Sequence, residues 1–533
     1  MSTATKMFRI LRYLQLWRID NIANYYLLKN ESDSLEKDHE TDRSSSDAES
    51  FDDPLSPLKK HSFKRNTALR SLGKLKVLLP SFLQETDPRS EPKPLRPTAW
   101  LDGLRGVAAF FVVLHHTTLI YFSWAIYNGW KDSNDHLIQL PIIRLMVSGR
   151  PNVMTFFVIS GYALSLKPLS LIRKCQYAKV YATLASSTFR RHPRLYIPAM
   201  IICLPAPFIT FWGGFAPADG MPGAAVSGTN PPRFDTLWEQ LTDYKNAILT
   251  VSDFYFPNGA IWRYSDSLWT LPIEFRSSLV IFAMLLALSR FTNGSRILIT
   301  LFVAAYSLWY LHWGELLFIG GMLIADRSVL AQRSLESRGS LSNDCYEPPH
   351  RFLCFSASRS SAARRMFSVV ALIVVLFLLG MPEQGQGAAD SYGYGYLSAL
   401  IPEHYHKLGD PDRFWQPLGA ILLVLVLDSS RFLQRPFTTR LAQYLGKISF
   451  SLYLVHMQLI HSLGFITARY FLEITGSESY WQYGAGIGLA TLVTWIVTFW
   501  LADLGSRFVD AKAVQFTAWV YDKLSKRSIE GYG

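Results

Sequence analysis

Charged residues and cysteines are scarce in this sequence. Of its 533 residues only 18% are charged and only four are cysteines, Cys175, Cys203, Cys345 and Cys354, whereas 49% are hydrophobic and 14% aromatic. The cysteines have neither the number nor the spacing of a disulfide framework or a zinc site, so we expect free thiols. The low charge and the long apolar blocks exclude an ordinary soluble protein. The composition predicts an all-α, multi-pass bundle of transmembrane helices.

Several motifs of soluble enzymes are also missing. The sequence has no G-x-S-x-G, H-E-x-x-H, G-x-x-x-x-G-K-[ST] or G-x-G-x-x-G pattern, so it predicts no serine-hydrolase elbow, zinc protease site or phosphate-binding loop, and no metal. The net charge of +12 does not indicate a nucleic-acid partner, because the basic residues fall mainly in loops beside apolar blocks.

The first 99 residues differ from the rest. Residues 1–29 lack an uninterrupted apolar core, so we expect no cleavable signal peptide. We expect instead an interfacial helix or a helix packed on the protein's own cytosolic side. Residues 31–53 are acidic and serine-rich and predict disorder, whereas 59–76 carry seven bases that favour anionic lipid. We therefore predict a cytosolic, largely disordered region at 1–99, a membrane domain at 100–510 and a cytosolic tail at 511–533.

Ten apolar stretches are candidates for membrane spans. They lie at about 104–122, 152–168, 194–212, 268–289, 296–312, 314–326, 366–381, 416–428, 448–468 and 481–503. The sixth and eighth are shorter than a simple crossing needs, so we expect them to extend or to be shielded by neighbours. Basic residues crowd the loops after the second, sixth and eighth spans, whereas the loop 382–415 is acidic. This pattern predicts that both termini are cytosolic.

Arg105 and His116 are the most informative residues of the first span. They are eleven positions apart, which is about three helical turns. Both side chains therefore share one face at a spacing of about 16 Å, whereas His115 points elsewhere. Ionisable groups in hydrocarbon usually face a bundle interior or a water-filled cavity. An arginine extending to lipid headgroups and a histidine bonded within the core would give the same pattern.

Five stretches together resemble the acyltransferase-3 family of integral membrane acyltransferases. They are LDGLRG at 101–106 with ten residues between Arg105 and His116, FFVISGY at 156–162, RRHPRLYIP at 190–198, SLWTLPIE at 267–274 and GKISFSLYLVH at 446–456. The resemblance covers about residues 100–510. It implies a membrane enzyme that moves an acyl group, commonly acetyl from cytosolic acetyl-CoA, to a hydroxyl of a carbohydrate, lipid or small metabolite.

The family resemblance implies roles for Arg105 and His116 of the first span. We expect Arg105 to bind the phosphates of acyl-CoA or to position the acyl carbonyl, because guanidinium forms paired hydrogen bonds to phosphate. We expect His116 to act as general base on the acceptor hydroxyl, or to form an acyl-histidine intermediate.

Other residues of these stretches are candidates for the same site. Glu274 is predicted to support His116 or to contact the acceptor, unless it pairs with Arg276 or another base. Arg191 and Arg194, at the start of the third span, are predicted to bind donor phosphates; anchoring at the cytosolic interface is the alternative.

Two residues of the ninth span complete the predicted site. His456 and Tyr453 are expected to line the acceptor path, unless His456 only packs between helices. The expected partners are the lipid bilayer, acyl-CoA and the hydroxyl-bearing acceptor. A proton-coupled transporter and a non-catalytic relative that binds an acylated ligand or partner are the competing interpretations.

Overall fold

The computed structural model describes residues 76–84, 95–126, 128–131, 136–215, 221, 231–253, 262–336, 361–383 and 387–530. These residues form helices, turns and loops and include no β-strand, which confirms the predicted all-α fold. The predicted interfacial helix, the acidic segment and almost all of the basic segment lie outside the described residues.

Helices of more than ten residues are labelled in chain order. They are α1 Ala99–Tyr121, α2 Gly149–Arg173, α3 Tyr177–Ile202, α4 Leu237–Val251, α5 Thr270–Ala287, α6 Asn293–Trp309, α7 Trp313–Glu336, α8 Ser361–Leu379, α9 Trp415–Ser429, α10 Arg440–Leu459, α11 Phe465–Thr475, α12 Tyr480–Gly505 and α13 Ala511–Glu530. Each of the ten predicted apolar stretches coincides largely with helix. The predicted C-terminal tail is the helix α13, which packs on α3 and places Phe189 5.6 Å from Tyr521 between ring centres.

Seven helical segments within the described residues are long and apolar enough to cross a membrane. They are Ala99–Tyr121, Gly149–Arg173, Tyr177–Phe211, Asp266–Ala287, Ala362–Leu379, Arg440–Thr475 and Tyr480–Ser525, and the pair Pro411–Ser429 and Arg431–Thr438, bent by 106°, is an eighth if it counts as one span. The chain is therefore a multi-pass membrane protein. Of the ten stretches predicted, those in α6 and α7 are the two that fail this test of length and composition.

The helix α7 lies in the interior of the bundle. Leu317, Phe318 and Ile319 are fully buried, and a Cβ on Gly161 of α2 would lie 2.2 Å from the carbonyl oxygen of Phe318. Small residues permit this close packing of helices. Neighbouring helices therefore shield α7 from lipid, which agrees with the shielding expected for the sixth apolar stretch.

Two acidic residues of α7, Glu315 and Asp326, are paired inside the bundle. Asp326 binds Arg173 of α2 at 2.8 Å and Arg296 of α6 at 3.2 Å, and Glu315 binds Arg276 of α5 at 3.2 Å. Buried charges require such partners. These pairs explain why α7 is less apolar than a helix that faces lipid.

Helices α1 and α10 lie side by side and run in the same direction. A Cβ on Gly106 would lie 2.2 Å from the backbone nitrogen of Gly446, and a Cβ on Gly446 would lie 2.3 Å from the carbonyl oxygen of Asp102. Further along both helices the rings of His116 and His456 are 5.2 Å apart. The contacts therefore occur in the same order along the two helices. Arg105 and His116 of α1 both pack against α10.

The substitution Gly446→Ala is expected to destabilise the protein by about 1–3 kcal/mol, because its methyl group overlaps the backbone of α1. The matched control is Gly488→Ala on α12, where a Cβ would meet no atom within 4 Å. Alanine is a better helix former than glycine, so the control should be neutral or stabilising by up to about 1 kcal/mol. Thermal unfolding of the detergent-solubilised variants measures both effects. Equal midpoints for the two variants would contradict the close packing of α1 on α10.

Polar contacts hold residues 76–84 against the end of α12 and the turn that follows it. The backbone N–H and the hydroxyl of Ser81 donate to the buried Asp503 carboxylate at 2.9 and 2.6 Å. Arg507 donates to the carbonyl oxygens of Val77 and Leu79, both at 2.9 Å. This part of the N-terminal region is therefore packed on the membrane domain.

Candidate active site

Arg105 is held by α10 rather than extended toward lipid headgroups. Its Nε donates to Ser449 Oγ and its Nη2 to the Gly446 carbonyl, both at 3.0 Å, and Nη2 lies 3.3 Å from Asp102 Oδ1. The side chain nevertheless keeps 39% of its surface exposed. The guanidinium is thus fixed in orientation by α10 while part of it stays open to a ligand.

His116 lies further along the same face of α1. Its ring centre is 5.2 Å from that of His456 on α10, so Arg105 and His116 both face α10, as the eleven-residue spacing predicts. Within the part of the chain that the structure describes, the His116 ring makes no hydrogen bond. The imidazole is half-buried and has both nitrogens available for a ligand.

His115 has a different environment. Its Nδ1 lies 2.6 Å from the carbonyl oxygen of Val147, and its ring fills the space beside Gly149, where a Cβ would approach it to 2.4 Å. These contacts join α1 to the start of α2. The helical geometry thus distinguishes a histidine in a structural contact from its neighbour on the α10 face.

Glu274 is bound to Arg191 and Ser160, not to His116. Its Oε1 accepts hydrogen bonds from Arg191 Nη2 at 2.7 Å and from Ser160 Oγ at 3.3 Å, while Arg191 Nε donates to Ser278 Oγ at 2.8 Å. The alternative prediction named Arg276 or another base as the partner; Arg276 binds Glu315, and Arg191 is the base that pairs with Glu274. Glu274 therefore orients a predicted donor-binding arginine, and the expected support of His116 is not seen in its hydrogen bonds.

Arg191 lies in the middle of the helix α3, just before the apolar stretch predicted as the third span. The helix begins at Tyr177, well before the apolar stretch at 194–212. The Arg191 side chain is only 9% exposed, so anchoring in the membrane interface does not describe it. A buried arginine of this kind requires the carboxylate that Glu274 provides.

The three predicted donor-binding arginines lie near one another. Exposed Arg194 is close enough to both Arg105 and Arg191 for their charges to repel. Asp510, between α12 and α13, interacts favourably with Arg105 and Arg194. We call Arg105, Arg191 and Arg194 the arginine cluster. Asp102, Glu274 and Asp510 lie beside these guanidinium groups. The part of the cluster open to a further anion is therefore the exposed surface of Arg105 and Arg194.

Tyr453 and His456 differ in whether their polar atoms already have hydrogen-bond partners. The Tyr453 hydroxyl lies 2.8 Å from Thr270 Oγ1 and also donates to the Ser267 carbonyl oxygen, which ties α10 to α5. The fully buried His456 ring places Nδ1 3.1 Å from the Leu452 carbonyl oxygen. Its Nε2 has no hydrogen-bond partner among the described residues. His456 is thus the better placed of the two to bind a ligand.

Three contacts of the site were missed in the sequence. Ser160 and Ser449 lie inside the family-like stretches at 156–162 and 446–456, which was the available signal, but serine alone suggested no role. Asp510 lies beyond the last apolar stretch and gave no signal at all. Within the described ranges, no group of three or more His, Cys, Asp or Glu residues is arranged to hold a metal ion.

Comparison with known proteins agrees with this architecture. A family model described as an acyltransferase domain, Acyl_transf_3, matches residues 98–500. The chain is thus a membrane acyltransferase, a transferase of groups other than aminoacyl groups. It belongs to the acyltransferase-3 family, which confirms the resemblance carried by the five stretches.

Named relatives extend along most of the chain. The O-acetyltransferase PaAT-1 of Phomopsis amygdali is 36% identical over 471 residues, which cover 85% of this chain and 90% of the relative. Acyltransferase R4 of a Phoma species is 26% identical, covering 79% and 95%, and acyltransferase clz18 of Cochliobolus lunatus is 24% identical, covering 83% and 98%. No solved structure matches the chain.

Proposed function

We propose that this enzyme transfers an acyl group, acetyl in the simplest case, from cytosolic acyl-CoA to a hydroxyl of a carbohydrate, lipid or small metabolite. The observation that carries the proposal is the order of contacts along α10. Ser449 binds Arg105 in the arginine cluster, and two turns later His456 contacts His116. Seven residues of helix correspond to about 10 Å, so one helix joins an anion-binding end to a base within the membrane.

The proposed binding of acyl-CoA rests on the positive charge of the arginine cluster. Acyl-CoA carries several phosphates, and arginine binds phosphate oxygens through paired, charge-assisted hydrogen bonds. The arginine cluster supplies three guanidinium groups, of which Arg105 and Arg194 keep exposed surface. We place this end, with both termini, on the cytosolic side, because the loops after the second, sixth and eighth apolar stretches are rich in arginine and lysine.

The parallel direction of α1 and α10 supports the same orientation. Two parallel membrane helices need an even number of crossings before the second one begins. The predicted order satisfies this condition, since α1 holds the first apolar stretch and α10 the ninth. A cytosolic N-terminus then places Arg105 near the cytosol and His116 deeper in the hydrocarbon.

The reaction we propose is direct transfer. His116 accepts the proton of the acceptor hydroxyl as the acceptor oxygen attacks the thioester carbonyl carbon. The carbon–sulfur bond breaks, the thiolate of CoA leaves, and the proton returns from the imidazolium to give CoA thiol and the ester. No oxidant, reductant or metal enters this balance.

Replacement of Arg105 tests the donor end. Arg105→Ala removes a charged donor to phosphate, so the KM for radiolabelled acetyl-CoA should rise about 10- to 100-fold. Arg105→Lys should recover part of the loss, because lysine keeps the charge but not the fork of donors. The control is Arg469→Ala on the exposed face of α11, which should leave the KM unchanged. Equal KM values for Arg105→Ala and the control would contradict the proposed donor site.

A further inference from the structure

The helix that carries His456 is interrupted one turn later. Residues Ile460–Gly464 form a π-helical turn between α10 and α11, and His461 lies within it. Single π-helical turns inside longer helices often occur at functional sites, because the wider turn redirects a side chain. The His461 side chain is thereby placed away from the regular α-helical register of α10.

His461 carries a buried polar atom without a partner. The residue is 9% exposed, and its Nε2 has no hydrogen-bond partner among the described residues. Leaving such an atom unpaired costs roughly 1–3 kcal/mol, so a native protein normally pairs it with water or a ligand. The neighbouring Phe465 packs edge-on against the ring, 5.7 Å away between centres, and so restrains its orientation.

His461 lines a narrow cleft with about 20 Å³ of space open to a water-sized molecule. The aromatic and apolar walls of the cleft are Phe215, Pro231, Tyr264 and Met457. Its polar lining is Arg263, Ser265, Asp266, Gln458 and His461. Sites for small organic molecules combine apolar walls with a few polar groups in this way. That space holds one hydroxyl group or water molecule, so the cleft admits the hydroxyl end of a ligand whose remainder lies outside it.

The cleft lies beyond the contacts of Arg105 and His116 along α10. Ser449 contacts Arg105, His456 contacts His116, and His461 borders the cleft, about 18 Å of helix beyond Ser449. His116 is within electrostatic range of both His456 and His461. The cleft therefore lies on the side of His116 opposite to the arginine cluster, where a second substrate could approach without crossing the donor.

From these observations we infer that the cleft is the acceptor subsite, and that it binds the hydroxyl-bearing end of a largely apolar alcohol with His461 Nε2 bonded to that hydroxyl. His461 acts as a positioning residue, and His116 remains the base. The inference rests on the proposed function for the identity of the second substrate. The presence of an alcohol site in the cleft, however, is independent of catalysis.

Photolabelling of the full-length protein with 3-azioctanol, a photoreactive apolar alcohol, tests the site without an acyl donor. We expect the main label, mapped by mass spectrometry, on residues that line the cleft, and its loss in Met457→Trp, which fills the cleft. The control Leu489→Trp lies on the exposed face of α12 and should keep the label. Labelling spread over lipid-facing helices, with no decrease in Met457→Trp, would overturn the inference.

A kinetic measurement separates this inference from the proposed function. With acetyl-CoA and an alcohol that the wild type acetylates, His461→Gln should raise the KM for the alcohol at least fivefold and leave the KM for acetyl-CoA unchanged. Glutamine keeps a hydrogen-bonding group and a similar length, which limits damage to the fold. Wild-type transfer with no change of the alcohol KM in His461→Gln counts against the subsite alone. If the wild type transfers acetyl to no alcohol while the cleft is still labelled, the proposed function fails and the alcohol site stands.

Discussion

The variant His116→Gln is expected to lose acyl transfer by a factor of about 10² to 10⁴, the usual contribution of a general base. Glutamine has a similar volume but cannot take up a proton near neutral pH. Because His116 lies about 16 Å along α1 from Arg105, the KM for acetyl-CoA should stay close to the wild-type value. Transfer of radiolabelled acetyl by the purified protein, measured over a range of acetyl-CoA concentrations, gives both quantities.

His115→Gln is the matched control for that experiment. Its ring contacts the Val147 carbonyl oxygen at 2.6 Å, so the substitution should reduce stability by about 0.5–1.5 kcal/mol through the weakened hydrogen bond. The rate of transfer by the folded protein should remain within about tenfold of wild type. Loss of transfer in His115→Gln together with full activity in His116→Gln would contradict the assignment of the base to the α10 face of α1.

The second large effect concerns the ion pair between α3 and α5. Arg191→Met is expected to destabilise the protein by about 3 kcal/mol, because it leaves the Glu274 carboxylate mostly buried without its cation. The Glu274 side chain is 22% exposed, which places the expected loss at the lower end of the range for broken buried pairs. Thermal unfolding of the solubilised protein measures it.

The double variant Arg191→Met with Glu274→Leu separates stability from activity. Replacing both partners by apolar residues removes the uncompensated charge, so most of the lost stability should return. Acyl transfer should stay low with a raised KM for acetyl-CoA, since one guanidinium of the arginine cluster is still missing. Recovery of both stability and the donor KM would show that the pair is only structural.

The shared face of Arg105 and His116 was predictable because it depends on the helical period alone. Eleven residues complete about three turns, and the structure indeed directs both side chains toward α10. The all-α fold was predictable from the long apolar blocks, because such blocks form membrane-spanning helices. Patterns within one helix can be read from the sequence without knowledge of its neighbours.

The partner of Glu274 was not predictable in this way. Arg191 belongs to another helix, and the apolar stretch that marks the third span begins only at Arg194, whereas α3 begins at Tyr177. Polar residues extend the helix there because α3 packs on α5 and α13. A pair between helices depends on their arrangement in three dimensions, which the hydrophobic pattern does not contain.

The cleft proposed for the acceptor was not predictable from the sequence either. No residue type or spacing signals the π-helical turn at Ile460–Gly464, so an α-helical register assigned to His461 from the sequence would give a wrong direction. The cleft beside it includes Phe215 and Tyr264 from distant parts of the chain. Such a site is formed only when these segments fold together.

Sealed membrane vesicles of known orientation test the central claim, that the donor reaches His116 from the cytosolic side. Radiolabelled acetyl-CoA, which does not cross membranes, is added with benzyl alcohol as a permeant acceptor to vesicles that hold wild type or His116→Gln. We predict labelled ester and free CoA only with wild type, and only when the cytosolic face of the protein is outward. Equal transfer from the opposite face, or undiminished transfer by His116→Gln, would contradict the account.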